Sequence, residues 1–112
     1  MLPEEDRIRI RHVIEAADDA LRYVRDRKRE DLDSDRQLTH ALVACLLIMG
    51  EAANAISTET VLEHPEIEWR DIIGMRHRLI HAYYNINLTV VWKTLQEDLP
   101  GLRGQLETLL RL

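Results

Sequence analysis

The chain has 112 residues, of which 46% are hydrophobic and 31% are charged, and its formal net charge is −5. This length suits one core, so we expect residues 1–112 to fold as a single domain, and the composition excludes disordered and membrane-spanning proteins. An acidic chain does not attract nucleic acid over its whole surface, so any contact with RNA would be confined to a local cleft.

No segment has the pattern of a membrane span or a secretion signal. The longest apolar run is residues 41–49, whereas a membrane-spanning helix needs about 20 residues. The N-terminus, residues 1–11, is charged and has no apolar signal core. Cys45, the only cysteine, lies inside the apolar run, which favours a buried thiol and a reducing compartment. We therefore expect a cytoplasmic protein that makes no contact with a membrane.

The first helix is predicted from the spacing of apolar residues. They recur every three or four positions from Ile10 to Val24, which predicts an amphipathic helix over about residues 4–28. The charged segment 25–35 follows as a solvated connector, and Ser34 or Asp35 can cap the next helix.

The second helix should run over about residues 36–56, and its middle is apolar on every side. Such a helix is expected to be packed against other parts of the protein on two sides. We expect the core to cover one side and a second copy of the chain to cover the other, because large exposed apolar patches mark interfaces. The sequence therefore predicts a homodimer.

The remaining chain predicts two more helices. Residues 57–68 suggest a connector with a short helical turn, and a third helix should span about residues 69–84. From Leu88 onward the leucines keep one helical phase, but Pro100 and Gly101 interrupt it, which predicts a kink or a restarted helix. The predicted fold is all-α, an antiparallel bundle of four helices, or five if the last one restarts.

One charged residue lies in the apolar stripe of the third helix. Arg76 is in helical phase with Ile72 and Leu79, so its guanidinium should face the core or an interface. Burying an unpaired charge costs several kcal/mol. Arg76 therefore needs a partner such as Glu51 or Glu68, or it lines a polar cleft that holds an anion.

Two histidines follow Arg76. On a continuous helix His81 would lie about 140° around the axis and about 7.5 Å further along it, so that the two side chains flank a groove. His77 lies one turn before His81, and this pair could bind a metal ion or a phosphate. No third ligand is evident, so we expect no metal and no cofactor.

The motif and its surroundings resemble a known family. The order Arg76, four residues, His81, one residue, Tyr83 is similar to the signature of the HEPN ribonuclease superfamily and of its HepT-like toxins. Three segments resemble the second helix, the core motif and the last helix of that family, namely residues 48–57, 64–84 and 90–102. His77 departs from the pattern, because Asn often follows the motif Arg in these toxins.

The resemblance implies a HEPN bundle, a catalytic role for Arg76 and His81, and a toxin–antitoxin system of the type VII kind. It also implies that Tyr83 accepts AMP from a minimal nucleotidyltransferase antitoxin, which silences the toxin. The chemistry suits metal-free cleavage of RNA such as mRNA or tRNA. An unperturbed imidazole, with a pKa of about 6.5, can act as a base, and a guanidinium binds phosphate oxygens.

Other residues have possible supporting roles in this interpretation. Two copies of the third helix would meet across a symmetric dimer, or a higher oligomer, and form one cleft. Arg78 adds to a local excess of three arginines over one aspartate between Trp69 and His81, where RNA phosphates would bind. His77 would affect pH dependence or substrate preference, and Glu51 either orients Arg76 or faces solvent.

Two other functions fit parts of the sequence. The first is a non-catalytic HEPN module that docks a nucleotidyltransferase or a nucleotide. The second is a structural dimerisation protein, which explains the apolar second helix but not Arg76. The presence of both Arg76 and His81 favours the ribonuclease.

Overall fold

The computed structural model describes residues 2–82 and 85–112, apart from the side chains of Arg76, Ile80, His81 and Ala82. The described chain is almost entirely helical, with one short hairpin of two strands. Its elements are α1 (Glu4–Tyr23), α2 (Asp31–Ser34), α3 (Arg36–Asn54), α4 (Thr58–Glu63), α5 (Trp69–Ile73), α6 (Met75–Leu79), β1 (Ile80–Ala82), β2 (Asn85–Ile86), α7 (Leu88–Lys93), a π-helical turn (Thr94–Asp98) and α8 (Leu99–Leu110). This confirms the predicted all-α bundle.

The core forms where α1 packs along α3, with α8 against α1 and with α5 and α6 against α3. Its largest fully buried side chains come from all of these elements, and they include Ile10, Leu42, Leu46, Met49, Ile72, Leu79, Leu99 and Leu106. Two arginines fasten α1 to α8 at the rim. Arg7 Nη2 donates to the carbonyl of Leu110 at 2.7 Å, and Arg103 Nε donates to Asp18 Oδ1 at 2.6 Å.

The first two predicted helices are present with shorter ends. α1 stops at Tyr23 rather than near residue 28, and Asp26 then adopts the left-handed conformation, with φ of 61°. An αR helix cannot continue through such a residue. α3 begins at Arg36 as predicted, because Asp35 Oδ1 accepts from the Leu38 N–H at 3.0 Å and caps the helix.

The third helix is the main correction to the predicted elements. Helix was expected over residues 69–84, but α5 ends at Ile73, α6 ends at Leu79, and the chain continues as strand β1. The physical reason is a competing set of backbone partners. The N–H of Asn87 donates to the carbonyl of Leu79 at 2.9 Å, and Ile80 pairs with Ile86 of β2. The β-branched isoleucines suit this pairing better than a helix.

The predicted interruption at Pro100 takes a different form. Proline lacks an N–H and its ring clashes with the carbonyl four residues earlier, which is that of Gln96. Instead of a break, the turn Thr94–Asp98 widens to a π-helix directly before α8. The helical path continues from α7 through this wider turn into α8, which begins at Leu99, so the predicted interruption is a π-helical turn between two helices.

The apolar middle of α3 is mostly covered by the chain's own core. Leu46 is 1% exposed and Cys45 is also buried, and burial raises the pKa of the Cys45 thiol. A narrow strip of α3 stays open to solvent, formed by Ala44, half-buried Leu47 and Ile48, which is 52% exposed. The apolar surface of α3 that is left for contact with a second copy of the chain is therefore smaller than the sequence predicted. The homodimer stays a prediction.

A buried carboxylate joins the start of α1 to the start of α4. Asp6, 3% exposed, accepts from the N–H of Ser57 at 2.9 Å and from the hydroxyls of Ser57 and Thr60, each at 2.5 Å. Burial by itself would raise the pKa of Asp6, but these hydrogen bonds outweigh it and hold the pKa below its usual value.

We expect Asp6→Asn to lower the free energy of unfolding at pH 7 by about 1–3 kcal/mol, since buried donors lose their charged acceptor. The carboxylate stabilises the fold at pH values above its unfolded pKa, and this contribution is lost as the pH falls through the lowered folded pKa. Urea denaturation at pH 7 and near pH 3 should show the difference between wild type and variant shrinking in acid. The exposed neighbour Glu5 offers the control Glu5→Gln, and an equal loss in that control would contradict the assignment.

None of the helices in residues 2–82 and 85–112 is both long enough and apolar enough to cross a membrane.

Candidate active site

The two residues with predicted catalytic roles lie on different elements. Arg76 is the second residue of helix α6, and His81 is the middle residue of strand β1. The predicted angle of 140° between them assumed one continuous helix and does not apply, because the helix ends at Leu79. Tyr83, the predicted site of modification, lies outside the described residues.

His81 occupies a β-bulge in the backbone. Ile80 pairs with Ile86 and Ala82 pairs with Asn85, so β1 has one more residue than β2 between these two pairs. The extra residue is His81. Bulges leave one residue out of the ladder, change the direction in which it is presented, and are frequent next to active sites.

The hairpin is anchored at its open end by helix α7. Asn87 directly follows the hairpin, and its Oδ1 accepts from the Val90 N–H at 3.1 Å, which caps α7. Arg29, in the connector after α1, donates from Nη2 to Thr89 Oγ1 at 3.2 Å. The backbone around His81 is therefore held between α6 and the first turn of α7.

One flank of α6 is acidic. A groove of about 640 Å³ separates α5 and α6 from the π-helical turn and α8, and its charged lining residues are Glu68, Asp71, Arg78, Glu97 and Asp98. Arg78 Nη2 lies 3.9 Å from Asp98 Oδ2. The sequence predicted a local positive charge here, but on this flank the net charge is negative, because four carboxylates and only one arginine, Arg78, line the groove. RNA phosphates would be repelled there.

The other two supporting residues are exposed. His77 lies on the surface of α6. Glu51 lines a shallow groove with Arg9 and His12 of α1 and with Ile48 of its own helix. The side chain of Arg76 lies outside the described part of the chain, so its predicted orientation by Glu51 stays a prediction.

A second pair of basic residues near the hairpin was not singled out from the sequence. Arg36 and His40 lie one turn apart on α3 and line a groove of about 380 Å³ together with Ile86 of β2 and Leu88 of α7. The available signal was the spacing of four residues between Arg36 and His40, which places both on one helix face.

Comparison with known proteins identifies the family of this bundle. A family model described as ribonuclease HepT-like matches residues 13–109. The chain belongs to the HepT-like ribonuclease family. It is 42% identical over 80 residues to a protein of Thermococcus cleftensis named probable ribonuclease HepT, an alignment that covers 71% of this chain and 73% of that protein.

Two further relatives of this HepT-like chain carry provisional names as RNases. The one from Caldanaerobacter subterraneus subsp. tengcongensis is 31% identical over 102 residues, which is 91% of each protein. The one from Methanocaldococcus jannaschii is 27% identical over 95 residues, which is 85% of this chain and 87% of that protein. No solved structure matched the chain. The resemblance seen in the motif is thereby confirmed, and the enzyme class is that of the ribonucleases.

In the described part of this HepT-like chain, no three His, Cys, Asp or Glu side chains are grouped so that they could hold a metal ion. The alternative metal pair of His77 and His81 includes a side chain outside the description, and it stays a hypothesis for experiment.

Proposed function

We propose that this protein is the toxin of a toxin–antitoxin pair and that it cleaves cellular RNA, mRNA or tRNA, in the cytoplasm without a metal ion. The observation that carries the proposal is membership of the HepT-like ribonuclease family together with the presence of Arg76 and His81. The bulge at His81, directly after the helix that carries Arg76, supports it because a bulge presents one residue differently from its neighbours.

In the proposed reaction His81 takes the proton of a 2′-hydroxyl, and the 2′ oxygen attacks the phosphorus atom. The bond between phosphorus and the 5′ oxygen breaks, and an acid gives that oxygen a proton. The products are a 2′,3′-cyclic phosphate and a 5′-hydroxyl. Arg76 donates to the phosphate oxygens, where negative charge develops in the transition state.

We further propose that the active species is a symmetric dimer with both motifs in one cleft. One motif supplies a single imidazole in β1, whereas the reaction needs both a base and an acid. The exposed strip of Ala44, Leu47 and Ile48 on α3 offers an apolar surface for this contact. Further association of dimers is compatible with this arrangement.

The proposed control of the toxin is AMP transfer to Tyr83 by a cognate minimal nucleotidyltransferase. The phenol oxygen would attack the α-phosphorus of ATP, and pyrophosphate would leave. Each added phosphodiester brings a negative charge and an adenosine next to the residues that would bind RNA phosphates. The modified toxin would then repel its substrate without unfolding.

Mass spectrometry should find a gain of about 329 Da for each AMP, the mass set by its composition, when the protein is co-expressed with the partner. We expect Tyr83→Phe to prevent the gain, and we expect the partner to stop protecting cells from that variant. Tyr23→Phe is the matched control, because Tyr23 is an exposed tyrosine on α1. Modification of Tyr83→Phe at the wild-type level, or loss of modification in Tyr23→Phe, would refute the assignment.

A further inference from the structure

The groove beside the hairpin has a composition that suits a phosphate. Arg36 and His40 project from one face of α3 and are both exposed, and they line the groove opposite Ile86 and Leu88. A guanidinium and an imidazole can each donate N–H groups to phosphate oxygens, and Arg does so through two parallel bonds. The half-buried apolar side chains on the far wall offer a surface for a ribose or a base.

The groove lies next to the residues that would cleave RNA. Ile86, one of its lining residues, pairs directly with Ile80, which precedes His81. Neighbouring strands are about 4.8 Å apart. The groove therefore begins about one strand width from the bulge, on the α3 side of the hairpin.

The carboxylates around this groove already have cationic partners. Asp33 lines it, but its Oδ1 is 3.1 Å from Arg29 Nη1, and Asp35 Oδ2 accepts from Arg27 Nη2 at 2.9 Å. Among the described side chains, no carboxylate forms an ion pair with Arg36. The positive charge of Arg36 is therefore available to an anion, unlike that of Arg78 on the acidic flank of α6.

We propose that Arg36 and His40 bind a phosphate of the RNA strand beyond the scissile one. This inference rests on the proposed ribonuclease function. The strand would leave the cleavage site along the α3 side of the hairpin, because the other flank of α6 carries four carboxylates. The substrate is thus a single RNA strand that extends past the cleaved bond, and a short fragment lacks part of the binding surface.

The test measures binding of a single-stranded RNA 20-mer with 2′-O-methyl riboses, which cannot be cleaved, to the full chain. We expect the double variant Arg36→Ala, His40→Ala to bind about tenfold more weakly, as for loss of a charge-assisted hydrogen bond. The plot of log affinity against log salt should become less steep by about 0.7 for each lost phosphate contact. The gain in affinity from a trinucleotide to the 20-mer should shrink as well. Arg36→Lys should restore part of the binding.

The control is Arg111→Ala, which removes one exposed positive charge. Arg111 directly follows α8, whose end is joined to the start of α1 by the hydrogen bond from Arg7 to Leu110. The groove lies beyond the other end of α1, a helix of roughly 30 Å, so Arg111 is far from it. If the double variant and the control bind equally, with equal salt dependence and thermal unfolding like wild type, the phosphate site is refuted while the ribonuclease stands. If wild type neither binds nor cleaves RNA, the proposed function itself fails.

Discussion

Alanine in place of His81 should lower the rate of RNA cleavage by about 10²–10⁴-fold, the contribution of a general base. Alanine at Arg76 should lower it by about 10²–10³-fold, the cost of removing a donor to a developing charge. His81 lies in strand β1, outside the helices that form the core, so circular dichroism and thermal unfolding should stay near wild type for His81→Ala. Growth of expressing cells and gel analysis of total RNA report the effect in cells and in vitro.

The same assay separates the metal-free route from its alternative. Cleavage should persist in EDTA, and a substrate with one 2′-deoxyribose should resist cleavage at that position. Activity that EDTA abolishes and a divalent ion restores would instead support metal binding by His77 and His81. Arg111→Ala is the charge control for Arg76→Ala and should cleave RNA like wild type. Full activity of a folded Arg76→Ala or His81→Ala variant would refute the catalytic assignment, and a stable partner complex without cleavage would favour the binding module.

A charge placed on α3 should have opposite consequences at two neighbouring positions. Leu46 is 1% exposed, so Leu46→Asp buries a carboxylate in the core and should cost several kcal/mol, enough to unfold a small domain. Ile48 is 52% exposed, so Ile48→Asp leaves the core intact. In the proposed dimer the same aspartate would be forced into an apolar interface, and we expect it to yield a folded monomer.

Thermal unfolding and light scattering distinguish these outcomes. Leu46→Asp should lose its cooperative transition, whereas Ile48→Asp should keep it and scatter as a monomer with reduced RNA cleavage. Leu62→Asp, which adds the same charge at a residue of α4 that is 73% exposed, is the control and should stay like wild type. An unmodified chain that is monomeric and fully active would refute the dimer, and unfolding of Ile48→Asp would place that residue in the core.

The sequence by itself determined the class of fold and the family. Apolar spacing predicted the first two helices, and the cap at Asp35 fixed the start of α3 at Arg36, because local hydrogen bonds and period need no distant partner. The order of Arg76, His81 and Tyr83 pointed to the HepT-like family that the comparisons confirm. Helix ends were predicted less well, since the predicted end of α1 lies about five residues beyond its actual end at Tyr23.

Only the tertiary structure decided how the candidate site is built. Helical phase predicted that Arg76 and His81 lie on one helix. In the structure the backbone after Leu79 pairs with β2 instead, and His81 lies in a bulge of that pairing. The charge around Arg78 likewise changed sign once distant carboxylates were folded against it. Both outcomes have one physical reason. Hydrogen bonds and charge interactions form between groups that are close in space. For the backbone after Leu79 the partner is strand β2, and for Arg78 two of the nearby carboxylates are those of Glu97 and Asp98; local periodicity reveals neither.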